Sequence, residues 1–213
     1  MSTNIRRSNR PPPREVLPSV WSSDEDTPKV SVAWITRPRA GEALSGDTVV
    51  VRRLESRVLV AVIDALGHGP KAAAIAESSS AYLAEARDGS ASELVQGLHK
   101  TLQGTRGAAA LVLLVSHEGV EACSVGNIEL RSRTARLPFV LTPGVLGVRL
   151  REPKVCTLKA PIADRFVLFS DGISGQFDMK SLSQHPPAQA VSQVFASHRH
   201  SHDDASIVVV DIE

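Results

Sequence analysis

The stretch Val58-Leu59-Val60-Ala61-Val62-Ile63-Asp64-Ala65-Leu66-Gly67-His68-Gly69-Pro70 stays apolar for six residues, stops on an aspartate and turns through two glycines into a proline. A run this short and this rich in β-branched side chains reads as a buried strand. Gly67 and Gly69 permit a tight turn, and Pro70 suits the first position of a helix. A carboxylate is therefore presented at a strand end beside a helix N-terminus. Burial there requires protons or cations to offset its charge.

Working outward, Val30–Ile35 and Thr48–Arg52 read as strands before Leu59–Ile63. Pro70–Ala86 follows as a helix with Ala72, Ile75, Ala76, Ser79, Tyr82, Leu83 and Ala86 on one face. Ser90-Ala91-Ser92-Glu93 has the spacing of a capping box and opens a second helix reaching about Gln103. Consecutive strand candidates come next: Ala108–Ser116, Val120–Val125, Ile128–Arg133, Leu146–Leu150, Val155–Leu158 and Arg165–Ser170. A helix over Pro187–Ser197 and a strand over Ser206–Ile212 close the chain. Helices early and late with strands between them predict an α+β domain built on antiparallel sheet.

The chain of 213 residues suffices for one domain with a sizeable core. Five prolines and a basic-then-acidic charge order set residues 1–28 apart as a disordered or loosely attached tail, leaving 29–213 as the folded domain. A net charge of +1 from mixed charges implies no general affinity for polyanions. One Tyr, two Trp and five Phe offer little for stacking on nucleic acid, so no nucleic-acid partner is expected. No apolar run approaches the ~20 residues of a membrane span, and no apolar segment follows the basic start as in a signal peptide. Cys123 and Cys156 show neither disulfide-framework nor zinc spacing, which suits a reduced, cytoplasmic protein.

Three more sites share the setting of Asp64. Arg165–Ser170 runs into Asp171-Gly172, Asp203-Asp204 stands just before the last strand, and Ser45-Gly46-Asp47 precedes the second. In antiparallel sheet the end of one strand lies beside the start of its neighbour, so Asp47, Asp64, Asp171 and Asp203 are placed to gather on one rim. Clustered carboxylates repel unless a cation sits among them, and oxygen-only ligands suit Mg²⁺ or Mn²⁺. A pair of such ions can activate a water for displacement at phosphorus. Read singly, each acid is also an ordinary turn residue, since Asp-Gly is a common turn pair. The shared logic of four sites favours the phosphate-hydrolase reading.

The same residues carry a family resemblance. Asp64-Ala65-Leu66-Gly67-His68-Gly69, with Ala72 and Ala73 behind it, resembles the D-G-L/M-G-x-G motif of SpoIIE/RsbX-type bacterial phosphatases. These form a branch of the PPM family of metal-dependent protein serine/threonine phosphatases. Ser45-Gly46-Asp47, Ser124-Val125-Gly126-Asn127, Phe169-Ser170-Asp171-Gly172-Ile173 and Asp203-Asp204-Ala205-Ser206 match further motifs in family order. The resemblance spans roughly Val30 to Glu213 and is strongest to the small stand-alone RsbX-like members. It implies two stacked antiparallel sheets flanked by helices and a site for two Mn²⁺ or Mg²⁺ ions. Asp64 would bridge both ions, the carbonyl of Ala65 would bind one, and Asp171 and Asp203 would complete the second. Asp47 would act directly or through water. The reaction implied is attack of a metal-activated water without a phosphoenzyme. The partner implied is a phosphorylated STAS-domain regulator in a partner-switching or stress-response circuit controlling a sigma factor.

Ala65 stands where the family has glycine, and it would strain a turn that required positive φ. A catalytically weak or inactive docking module for the same regulator is the alternative that Ala65 favours; the intact acids favour the enzyme. His68 reads either as a turn residue or as an acid for the leaving serine oxygen. Arg37 and His68 are the candidates for contacting substrate. The run His198-Arg199-His200-Ser201-His202 suits a helix C-terminus, where cationic groups are favoured, better than a zinc site.

Overall fold

The computed structural model describes residues 17–23, 27–135, 137–160 and 163–213. Its strands are β1 (Ser19–Ser22), β2 (Val30–Arg37), β3 (Asp47–Leu54), β4 (Arg57–Ala65), β5 (Ala108–Ser116), β6 (Gly119–Val125), β7 (Glu129–Ser132), β8 (Gly144–Val145), β9 (Arg149–Leu150), β10 (Val155–Lys159), β11 (Asp164–Phe169) and β12 (Ala205–Ile212). The helices are α1 (Pro70–Glu85), α2 (Ala91–Thr101), α3 (Met179–Leu182) and α4 (Pro187–His198). Two five-stranded sheets, ordered β1-β2-β12-β11-β7 and β10-β6-β5-β4-β3, are antiparallel throughout. This is the α+β sandwich that the sequence predicts.

Strand alternation builds three apolar layers. Val58, Val60 and Val62 of β4 face Leu111, Leu113 and Val115 of β5 and the opposite sheet's Phe166, Leu168, Val208 and Val210 in the inter-sheet core. Leu59, Ala61, Ile63 and Ala65 point the other way, onto Ala72, Ile75 and Leu83 of α1 and Leu94, Val95 and Leu98 of α2. The second sheet backs onto α4 through Ile35, Val167, Ile207 and Val209 against Val191, Val194 and Phe195. The alanine-rich face of α1 lets it lie close against β3 and β4. The capping box of α2 forms as read, Ser90 Oγ accepting from Glu93 N–H while Ser90 N–H donates to the Glu93 carboxylate at 2.8 Å.

Two readings change, and one short helix is added. Residues 19–22, assigned by sequence to a loose tail, form an edge strand on β2, from Ser19↔Trp34 to Ser22↔Ser31. Trp21 anchors it by packing on the inter-sheet core, a tertiary contact invisible in a four-residue run amid prolines. Residues 1–16 and 24–26 of that tail lie outside the described residues. Leu146–Leu150 is not one strand: residues 146–148 turn the β8–β9 hairpin, with Gly147 at φ 84 and Val148 N–H donating to Val145 O at 3.1 Å, and only Arg149–Leu150 is extended, as β9. Helix α3 is too short to show a period, although Asp178 caps it by accepting from Lys180 and Ser181 N–H groups.

Candidate metal centre and active site

The inter-sheet layer changes character at one end. Asp47 shares the face of Val49 and Val51 on β3, and Asp64 shares that of Val58, Val60 and Val62 on β4. On the facing sheet the same alternation brings Thr36, Ser170 and Ser206 to the ends of β2, β11 and β12. The apolar core thus terminates in a polar layer. Thr36 Oγ1 lies 2.9 Å from Ser206 Oγ, Ser206 N–H donates to Ser170 Oγ at 3.0 Å, and Ser170 Oγ–H donates to Asp47 Oδ2 at 2.6 Å. That last bond ties the two sheets together.

Asp47 and Asp64 stand directly opposite each other in the β3–β4 register, and Asp64 faces Ala109 of β5 on its other side. Asp64, Asp171 and Asp203 line one cleft of about 310 Å³ with Leu66, Gly67, His68, Ala109 and Asn127. Asp171 follows β11, and Asp203 precedes β12, its antiparallel neighbour. Gly172 leaves no room for a side chain, because a Cβ there would overlap the Asp204 carbonyl oxygen. Asp204, paired with Asp203 in sequence, is a buried strut: its carboxylate accepts from Arg39 N–H at 2.8 Å and Gly46 N–H at 2.7 Å, drawing the loop before β3 onto the rim.

The charges are held at a cost. Burial, then the negative charge of Asp47 and of Asp171, Asp203 and Asp204, pushes the Asp64 carboxyl up to about 9. Burial raises Asp47 to about 7, against the lowering effect of the Ser170 hydroxyl. Asp171 is raised by burial and by Asp203, and held back by Asn127, whose side-chain amide donates to Asp171 Oδ2 at 2.7 Å. No group of three His, Cys, Asp or Glu side chains among the described residues is already set in an ion-holding arrangement. The donor chemistry nevertheless fits hard divalent cations. Every acid offers oxygen, and Asp47 Oδ1 is buried with no hydrogen-bond partner.

Ala65 is the last residue of β4, buried, with its N–H donating to Gly46 O at 3.1 Å. The only described non-glycine residue at positive φ is Glu55, so the strain that Ala65 would bring to a left-handed turn does not arise. His68 lies at the cleft, half-exposed, with Nδ1 2.9 Å from Glu42 Oε1. Arg37 closes β2 opposite Ala205, its guanidinium donating to Thr36 O at 2.8 Å; it is at the rim but outside the cleft lining. Asn127 and Ser170 stand within family-like motifs whose spacing assigns them no role; their part in the site shows only in the bonds to Asp171 and Asp47.

Two antiparallel sheets stacked between helices, with acids at one rim, define the PPM-type phosphatase fold. The family described as Stage II sporulation protein E (SpoIIE) matches residues 55–213, and the chain belongs to that family. It is 26% identical over 145 residues to the phosphoserine phosphatase RsbX of Bacillus subtilis (strain 168), covering 64% of this chain and 71% of that protein. A solved structure reported under "The bacterial stressosome: a modular system that has been adapted to control secondary messenger signaling" superposes with a TM-score of 0.80 at 30% identity. The match covers 85% of this chain and 99% of that one. The crystal structure of RsbX in complex with magnesium superposes at 0.78 with 18% identity, over 92% of this chain and all of the other.

Proposed function

We propose that this chain is a metal-dependent protein serine/threonine phosphatase. Its substrate is a phosphoserine or phosphothreonine on a STAS-type bacterial regulator in a cytoplasmic partner-switching or stress-response circuit. The observation that carries the reading is the meeting of Asp47, Asp64, Asp171 and Asp203 at one rim, with a buried Asp47 oxygen lacking a partner. The likeness to RsbX, a phosphoserine phosphatase, supports the substrate class, and the stressosome neighbour supports the circuit. Among the described residues no helix is long and apolar enough to cross a membrane.

Asp64, Asp171 and Asp203, with the Ala65 carbonyl, are the residues to hold two Mn²⁺ or Mg²⁺ ions, and Asp47 adds its free oxygen. Ions so held supply Lewis acidity, lowering the pKa of water and neutralising charge at phosphorus. The protein's own groups do the rest. Ser170 and Asn127 orient Asp47 and Asp171, so that Asp47 keeps one buried oxygen without a partner and Asp171 keeps one for the cleft. Water attacks phosphorus, the bond to the serine oxygen breaks, and that oxygen takes up a proton. His68, steadied by Glu42, is positioned at the cleft to donate it.

The intact acid set and the unstrained Ala65 support turnover over a docking role. The test is phosphate release from a phosphoserine-bearing STAS-domain protein with and without Mn²⁺, alongside calorimetric Mn²⁺ titration of the protein and its Asp171→Asn variant. Binding of about two ions, weakened by the substitution, together with metal-dependent release, supports the reading. Binding without release turns it toward the docking module.

A further inference from the structure

The acids at the rim attract cations, whereas the phosphate of a substrate is a dianion that must be held beside them. A positive side chain free to reach the cleft from its edge would serve, and we propose that Arg106 is that phosphate-binding residue. The inference rests on the phosphatase reading above and adds a specificity residue to it.

Arg106 sits between α2 and β5, three positions before Ala109, which faces Asp64 across the sheet and lines the cleft. Its backbone is pinned on both sides. Thr105 Oγ1–H donates to Leu102 O at 2.7 Å and the same oxygen accepts from Gly107 N–H at 3.0 Å. Gly107 O in turn accepts from Leu66 N–H at 2.9 Å, fastening the segment to the cleft-lining loop. The guanidinium lies along that loop: a Cβ built on Gly67 would stand 3.0 Å from Arg106 Nη1. Gly67 lines the cleft with Asp64, so the guanidinium lies against the cleft-lining loop, just outside the lining itself. Arg106 is exposed, and no carboxylate or carbonyl among the described residues engages its guanidinium. Two of the other rim arginines are committed elsewhere. Arg37 donates to Thr36 O, and Arg199 donates to Pro38 O and lies over the Phe195 ring. A free guanidinium fork matches the oxygens of a phosphate monoester and supplies charge-assisted hydrogen bonds.

The test uses the full chain with Mn²⁺, p-nitrophenyl phosphate as substrate and inorganic phosphate as competitive inhibitor. In Arg106→Ala, KM and the inhibition constant for phosphate should both rise about tenfold while kcat changes far less. Arg106→Lys should recover part of that loss, and Mn²⁺ binding by calorimetry should match wild type. An unchanged phosphate inhibition constant in Arg106→Ala, with wild type active, overturns the assignment of Arg106 and leaves the phosphatase reading intact. A fall in Mn²⁺ affinity equal to the loss in activity overturns it too, because Arg106 would then act on the metal centre. Absence of turnover in metal-loaded wild type overturns the phosphatase reading and this inference with it.

Discussion

Ser170 donates its hydroxyl to Asp47 across the gap between the two sheets, at 2.6 Å, while the other Asp47 oxygen is buried without a partner. One bond thus joins the sheets and aims a carboxylate. Ser170 also accepts from Ser206 N–H, so its loss leaves two polar groups unmatched in a buried place. Ser170→Ala is expected to cost about 2 kcal/mol of stability, read by urea unfolding of the metal-free protein. It should also weaken Mn²⁺ binding by calorimetry, since the hydroxyl favours the charged form of Asp47. Unaltered affinity would show that Asp47 does not reach the ions.

Asn127 performs the matching task for Asp171, donating its amide to one oxygen and leaving the other for the cleft. Removing it should raise the Asp171 carboxyl further and release the hydrogen bond that fixes its orientation. Asn127→Ala is expected to weaken Mn²⁺ binding about tenfold near pH 7. The defect should shrink at higher pH, where the competing proton is gone. Titrations at two pH values check it.

The alanine at position 65 gives a prediction in the opposite direction. Ala65 is extended, buried and bonded to Gly46, so glycine there gains no conformation that the fold requires. Ala65→Gly should lower stability by about 1 kcal/mol through added chain entropy, and phosphate release should not increase. A marked rise in turnover would mean that the alanine holds the site back.

The elements legible in sequence are those whose pattern and packing agree. The run Val58–Ile63 alternates between two apolar layers, and Ser90 with Glu93 announces α2 before any tertiary contact is known. The strand-end acids were legible for the same reason, because strand alternation carries Asp64 to the inter-sheet face. Ser19–Ser22 was not, since its attachment depends on Trp21 finding a core made by distant strands. Leu146–Leu150 misled because its apolar residues serve a hairpin turn whose Leu146 is buried against Ala108. The roles of Asn127 and Ser170 rest on partners 44 and 123 residues away, which no local pattern encodes.

The raised acids make stability depend on pH in a direction opposite to that of ordinary carboxylates. Asp47 and Asp64, with ordinary values near 3.8, bind protons up to about 7 and about 9 in the folded protein. From about pH 4 upward the native state therefore holds more protons than the unfolded chain, and unfolding free energy falls as pH rises. Stability from this pair is fully present below pH 4 and is lost progressively toward pH 9. The metal-free protein should accordingly melt at lower temperature at pH 8.5 than at pH 6, and Asp64→Asn should flatten that slope by removing the larger contributor. Mn²⁺ must displace the same protons, so its affinity should climb over this window, with proton release visible as a buffer-dependent calorimetric heat. A melting temperature that rises with pH in the metal-free protein, or metal binding without proton release, would show that the rim carboxylates are already ionised and that their crowding is relieved by something other than the ions.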